Sequence, residues 1–147
     1  MPAGTAYCIP QGMLGSTIAN VDLDDDGIID HFRFEIRNQF LHPEHPLGWI
    51  RGLTVAVDGE DVPTKMMGFV LRGQWIAVEK LPTIADIWWH MREMAEIYVQ
   101  SRGLGAGRHR IDVDFDVSLF VHTPSIDQQG RWPTLRQQLT NEMELAA

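Results

Sequence analysis

The sequence predicts an all-β protein, an antiparallel β-sandwich of jelly-roll-like form, with a short aromatic loop or helix and a C-terminal tail helix. Three observations carry that reading. Apolar residues recur at every second position through most of the chain, the signature of half-buried strands. Turn pairs such as Asp58-Gly59 and Arg72-Gly73 punctuate those stretches. The intervals between them leave little room for the long crossovers that parallel strands need.

The elements follow in chain order. Ser16 to Val21 is a weak strand. In Asp30 to Asn38, Phe32, Phe34 and Ile36 alternate with Arg33, Glu35 and Arg37. Leu53, Val55 and Val57 repeat the pattern and run into Asp58-Gly59. Phe69 and Leu71 lead through Arg72-Gly73 to a return strand carried by Trp75, Ala77 and Glu79. Ala95, Ile97 and Val99 precede the glycine-rich stretch Gly103 to Gly107, which lies between strands and so reads as a hairpin loop, not a phosphate cradle. Ile111, Val113, Phe115 and Val117 then face one way, and Asp112, Asp114 and Asp116 the other. A row of carboxylates must sit in water or meet arginines, because buried it would repel itself.

Two stretches depart from period two. Thr83 to Glu93 puts Ile84, Ile87, Trp88 and Met91 at helical spacing, so it is a short helix or a loop carrying aromatics. In the tail, Leu135, Leu139 and Met143 recur every four residues after Trp132-Pro133. That predicts a helix which must dock its narrow stripe on its own sheet or on a partner. The chain reads as one domain over 1–147, with an N-terminal arm (1–14) and a C-terminal tail (125–147).

Composition narrows the function classes. Hydrophobic residues at 44% and charged ones at 22% exclude wholesale disorder. A formal net charge of −8 repels phosphate backbones, so no nucleic acid is expected. The apolar runs fall short of the roughly 20 residues a membrane helix requires, so no membrane partner is expected either. A single cysteine, Cys8, excludes an internal disulfide framework and fits a reducing compartment, and with no secretory signal in view the expected location is cytoplasmic.

Several clusters carry candidate chemistry. Asp22, Asp24, Asp26 and Asp30 surround Gly27 as alternate carboxylates at a sharp turn, a pattern able to give calcium its oxygens. Arg33 stands where an EF-hand needs its closing Glu, and the same residues equally form a solvated hairpin turn. His42 and His45 have a spacing found in zinc sites, but prolines flank them and no third ligand is near in sequence, which favours a stiff exposed connection. Cys8 has no neighbouring base, and no serine-hydrolase elbow occurs. In Trp88-Trp89-His90 two adjacent indoles cannot share one sheet face, so at least one should reach a surface or cleft, with His90 able to transfer protons beside it. The bland reading packs Trp88 in the core and leaves Trp89 partly covered.

Three segments together resemble one family. Leu53–Leu81 (LTVAVDGEDVPTKMMGFVLRGQWIAVEKL), Trp89–Val99 (WHMREMAEIYV) and Gly103–Val113 (GLGAGRHRIDV) are similar, in order and spacing, to the small β subunit of the bacterial C-glycoside deglycosidases. The likeness runs from about Asp30 to Val117. Met91-Arg92 stands where the family has Phe-Gly, and the Asp22 loop and the tail after Ser125 lie outside its pattern. The resemblance implies a small β-sandwich subunit, without catalytic residues of its own, of a lyase that cleaves 3-keto C-glucosides of flavonoids or similar aromatics. It implies a TIM-barrel α subunit carrying the catalytic histidine and a divalent metal, manganese being expected, and so a hetero-oligomer. In that setting Trp88, Trp89 and His90 form the pocket or interface loop, and Trp132, Leu135, Leu139 and Met143 dock the tail. The alternative is a stand-alone carbohydrate- or calcium-binding module without catalysis.

Overall fold

The computed structural model describes residues 12–40, 44–118 and 134–145. Among the described residues eleven strands form: β1 (Leu14–Val21), β2 (His31–Arg37), β3 (Glu44–Pro46), β4 (Ile50–Val57), β5 (Glu60–Asp61), β6 (Met67–Leu71), β7 (Gln74–Ala77), β8 (Trp88–His90), β9 (Met94–Gln100), β10 (Gly107–Ser118) and β11 (Thr134–Leu145). Nine belong to one curled sheet, in the order β5-β4-β10-β11-β1-β2-β9-β6-β7, while β3 and β8 pair separately.

All-β is therefore right, but the two facing sheets of the expected sandwich are not what forms. The long strand β10 pairs with β4 on one side and β11 on the other, so the hydrogen-bonded ladder runs unbroken from edge to edge. One contact, β1 with β11, is parallel. The inward residues of the curl make one core, with Phe34, Ile36, Val55, Phe69, Ile97, Ile111, Val113 and Phe115 all essentially inaccessible to water. These are the residues that alternation in the sequence points inward. Short 3-10 turns at Leu47–Trp49, Thr64–Met66 and Val78–Thr83 link the strands.

The tail is a strand, not a helix. β11 lies in the middle of the sheet and pairs with β10 from Gly107↔Leu145 to Ser118↔Thr134. Leu139 and Met143 are buried in the core, as is Gln137, two places before Leu139. A spacing of four is two strand periods as well as nearly one helical turn, and polar Gln137 and Asn141 conceal the alternation. Leu135 lies on β11, and Trp132 falls outside the described residues.

The return strand β7 is also turned over. Ile76 points to the core, and Trp75 lies outside at 45% exposure. Its indole covers Gly68 so closely that a Cβ there would lie 2.1 Å from the ring. Glu79 falls in the following 3-10 turn, not in the strand. Both sharp hairpins form as read, with Asp58-Gly59 and Arg72-Gly73 at positive φ and two-residue loops fixed by the Val57↔Glu60 and Leu71↔Gln74 pairs. The row Asp112, Asp114, Asp116 meets arginines, Arg110 bonding Asp112 at 3.0 Å and Arg136 gripping Asp114 with Nε and Nη2. The curled sheet thus has two unlike ends. The turns after β1 and β4 gather carboxylates at one, and β3, β8 and their aromatics cover the other.

Candidate functional site

At the aromatic end, Thr83 to Glu93 forms no helix. Trp88–His90 is a strand paired with β3, in register Glu44↔His90, His45↔Trp89, Pro46↔Trp88. Alternation along that strand splits the two indoles. Trp89 is fully buried and Trp88 is 44% exposed, the reverse of the core-packing reading. Trp89 stands edge-on to Phe69 at 5.2 Å and donates its indole N–H to the Glu93 carbonyl at 3.0 Å. His45 is buried as well, stacked between Phe40 and Trp49. The exposed connection expected at His42–His45 is thus corrected for His45. Apolar rings on both faces draw it inward, and its Nδ1 lies 2.8 Å from the Pro46 carbonyl. His42 falls outside the described residues.

Asn38 holds this end together. Fully buried, it donates from Nδ2 to the carbonyls of Trp89 (2.9 Å) and His90 (3.0 Å), and its Oδ1 accepts from the Phe40 N–H at 3.0 Å. Glu93 ties the outer rim: its carboxylate accepts from the His90 N–H and from the Arg72 guanidinium, which also donates to the Trp88 carbonyl. Burial pushes the Glu93 carboxyl up, yet the His90 N–H and Arg72 outweigh it and leave it below its ordinary value. His90 Nδ1 lies 2.9 Å from Glu44. Glu44, Arg72, Gln74, Asp86, Ile87, Trp88 and His90 line an open recess of about 400 Å³. It offers an indole to an apolar ring, surrounded by charged groups of both signs able to bond hydroxyls. Sequence reasoning found Trp88, Trp89 and His90 but missed Asn38, Arg72 and Glu93, whose partners lie 16 to 52 positions or a turn away and leave no spacing to read.

At the other end, ligand oxygens of Asp22, Asp24, Asp26 and Asp30 lie within 4.8 Å of one another. Asp22 accepts from the N–H groups of Asp26 and Gly27, and Asp30 from those of Leu23 and Asp24. With the Ile28 N–H on Asp26 and the Asp30 N–H on the Val21 carbonyl, these bonds close the turn. Lost hydration and the carboxyls of Asp30, Asp22 and Asp26 push Asp24 up to about 6. The His31 imidazole, with the Leu23 N–H, pulls Asp30 down to about 2. Such a donor set suits a hard cation, and the same contacts equally make a self-capped hairpin turn.

Fold and site together define an all-β protein that presents a half-exposed indole beside a polar recess. Its family can be stated. The chain belongs to the C-glycoside deglycosidase beta subunit family, whose model matches residues 13–119, well over half of the sequence. A beta subunit has a partner subunit. No curated protein matches the chain. Among the described residues no helix is long and apolar enough to cross a membrane.

Proposed function

We propose that this chain is the non-catalytic subunit of a cytoplasmic lyase that removes the sugar from 3-keto C-glucosides of flavonoids or similar aromatics. The partner, a TIM-barrel α subunit, holds the base and a divalent metal, manganese being the expected ion. The ketone at C3 acidifies the C2 proton. A base takes that proton, the C1–C2 double bond forms, and the bond from C1 to the aromatic carbon breaks, its electron pair leaving with the aglycone, which takes up a proton at that carbon. This chain supplies a wall of the reaction cavity from its aromatic end.

The observation that carries the reading is the pairing of one buried and one exposed indole on a three-residue strand pinned by Asn38. Trp89 anchors the strand, which leaves Trp88 presented on a rigid support, the arrangement of an interface hot spot or an aromatic platform. His90 with Glu44 adds a polar edge. The single cysteine supports a reducing compartment.

The test is to purify the chain with and without the protein encoded beside it and to assay 3-keto C-glucosides with added manganese. Turnover requires both subunits, and Trp88→Ala lowers turnover or subunit affinity at least tenfold, about 1.4 kcal/mol. Turnover by the isolated chain, or unchanged kinetics and association in Trp88→Ala, defeats the proposal.

A further inference from the structure

We propose that the cleft at the carboxylate-rich end of the sheet is a binding site for a small apolar cation, an ammonium or guanidinium group carried on an aromatic or aliphatic body. The inference stands apart from the role given to the aromatic end.

The cleft lies between the β4–β5 hairpin, the Pro63–Met66 connection and the end of β9, and encloses about 350 Å³. That is the size of a small-molecule site, roughly 300–1,000 Å³. Its floor is apolar, with Phe32 and Val99 each 2% exposed, and Val57, Val62, Met66 and Leu104 continue the walls. The charged groups at its rim are acidic: Asp58, Glu60 and Asp61 line it beside neutral Gln100 and Ser101, and among the described residues no Lys, Arg or His does. An adjoining recess shares Met66, Gln100 and Ser101 and adds Asp30 and one cation, Arg102. An anion would meet repulsion here and a purely apolar ligand would strip water from carboxylates for nothing in return. A cation with an apolar body satisfies floor and rim together.

The charge that faces a ligand belongs to Glu60 and Asp61. Asp58 is already engaged, its Oδ1 accepting from the Arg110 N–H at 2.8 Å and its Oδ2 lying 2.7 Å from His109 Nδ1. His109 Nε2 lies 2.6 Å from the Gly105 carbonyl, which can only accept, so these contacts favour the protonated ring, whose charge balances Asp58. Glu60 and Asp61 are exposed and have no ion-pair partner among the described residues. The Leu104 wall is fixed in advance. The Asn20 carboxamide clamps it from both sides, donating to the Leu104 carbonyl at 3.0 Å and accepting its N–H at 2.9 Å, while His109 holds the next residue. A wall ordered before binding spares the ligand that entropic cost.

Methyl NMR of the full chain tests this, following Val57, Val62, Met66 and Leu104 with 2-phenylethylamine as probe and 2-phenylethanol as its neutral counterpart. The amine shifts these methyls saturably with a millimolar Kd and binds at least tenfold tighter than the alcohol. In the Glu60→Gln, Asp61→Asn double variant, whose changes are on the surface, that preference falls at least fivefold. Equal affinity for amine and alcohol, shifts centred elsewhere, or an unchanged preference in the variant overturns the proposal. The same titration on the assembled enzyme separates two sources of this one chemistry. A cleft still open to the amine takes a free small cation, and one blocked by assembly but open in the isolated chain takes a basic side chain of the partner subunit.

Discussion

Replacing Asn38 with alanine tests whether the aromatic end depends on this one carboxamide. Asn38 is wholly buried and makes three hydrogen bonds of 2.9 to 3.0 Å. Alanine strands the Phe40 N–H, which is buried, and takes one of two donors from the Trp89 carbonyl, which still faces His45 in the strand pair. The His90 carbonyl keeps a second donor, the Glu93 N–H at 3.0 Å. One buried group left unsatisfied costs about 1–3 kcal/mol and the two further bonds lost about 0.5–1.5 each, so the expected loss is about 2–6 kcal/mol, against a typical total of 5–15. For a chain of this size each kcal/mol lowers Tm by about 2–4 °C, and a fall of at least about 5 °C is expected. Urea unfolding followed by tryptophan fluorescence measures the loss. With Trp89 no longer anchored, the emission of the folded variant also shifts to the red. Asn38→Asp sharpens the result: it keeps the acceptor for Phe40 but sets a carboxylate against two carbonyls, and it is at least as damaging as alanine. A midpoint within 1 °C of the parent for both variants would refute the argument that side chain, not strand pairing, holds Trp88–His90.

Three other outcomes follow from the same contacts. Gly68→Ala drives a methyl into the Trp75 ring 2.1 Å away, so the indole must swing off the sheet; near-UV circular dichroism loses a tryptophan signal, with a stability cost of about 1–3 kcal/mol. Leu139→Ala costs about 2–5 kcal/mol in chemical unfolding, because Leu139 is 3% exposed in a central strand, whereas Gln138→Ala on the outer face changes stability by less than about 0.5. The Asp58–His109 bond raises the histidine above its usual 6.5 and lowers the aspartate below 3.8. Its stabilisation is therefore full between those two ordinary values, fades at higher pH as folded His109 loses its proton, and fades at lower pH as folded Asp58 gains one. The stability gap between the parent and His109→Phe, measured from pH 3 to 9, is widest in that window and narrows on both sides.

What the sequence discloses depends on whether its polar and apolar residues alternate cleanly. β2, β4, β9 and β10 do so, and their inward sets are those that the alternation names. Where the alternation carries exceptions, the reading slips by one place or changes type. In β7 the large Trp75 ring reads as the core residue, but the neighbouring β6 leaves a vacant spot over Gly68 on the outer face, and the indole fills it. In β11, Gln137 points inward and is nonetheless buried, so the alternation is lost to inspection and only the four-residue repeat of Leu135, Leu139 and Met143 remains. The candidate site divides the same way. Trp88, Trp89 and His90 stand out by residue type, because adjacent indoles on a strand must part to opposite faces. Asn38, Arg72 and Glu93 are ordinary polar residues whose importance comes from carbonyls and N–H groups that the fold brings to them.

The position of β11 carries this further. The family match ends at residue 119, yet β11 begins at Thr134 and joins β10 to β1 in the centre of the sheet. β10 spends one of its two edges on this strand over twelve paired positions, from Gly107 to Ser118. Without it the outer edges of β10 and β1 would expose unpaired N–H and C=O groups, the arrangement most prone to pairing with another chain. The tail is therefore part of the sheet that holds both ends of the molecule in place, and a chain truncated after the family-matched region should aggregate instead of merely losing a peripheral segment. A soluble, monodisperse truncation at residue 119 with native near-UV dichroism would contradict that conclusion.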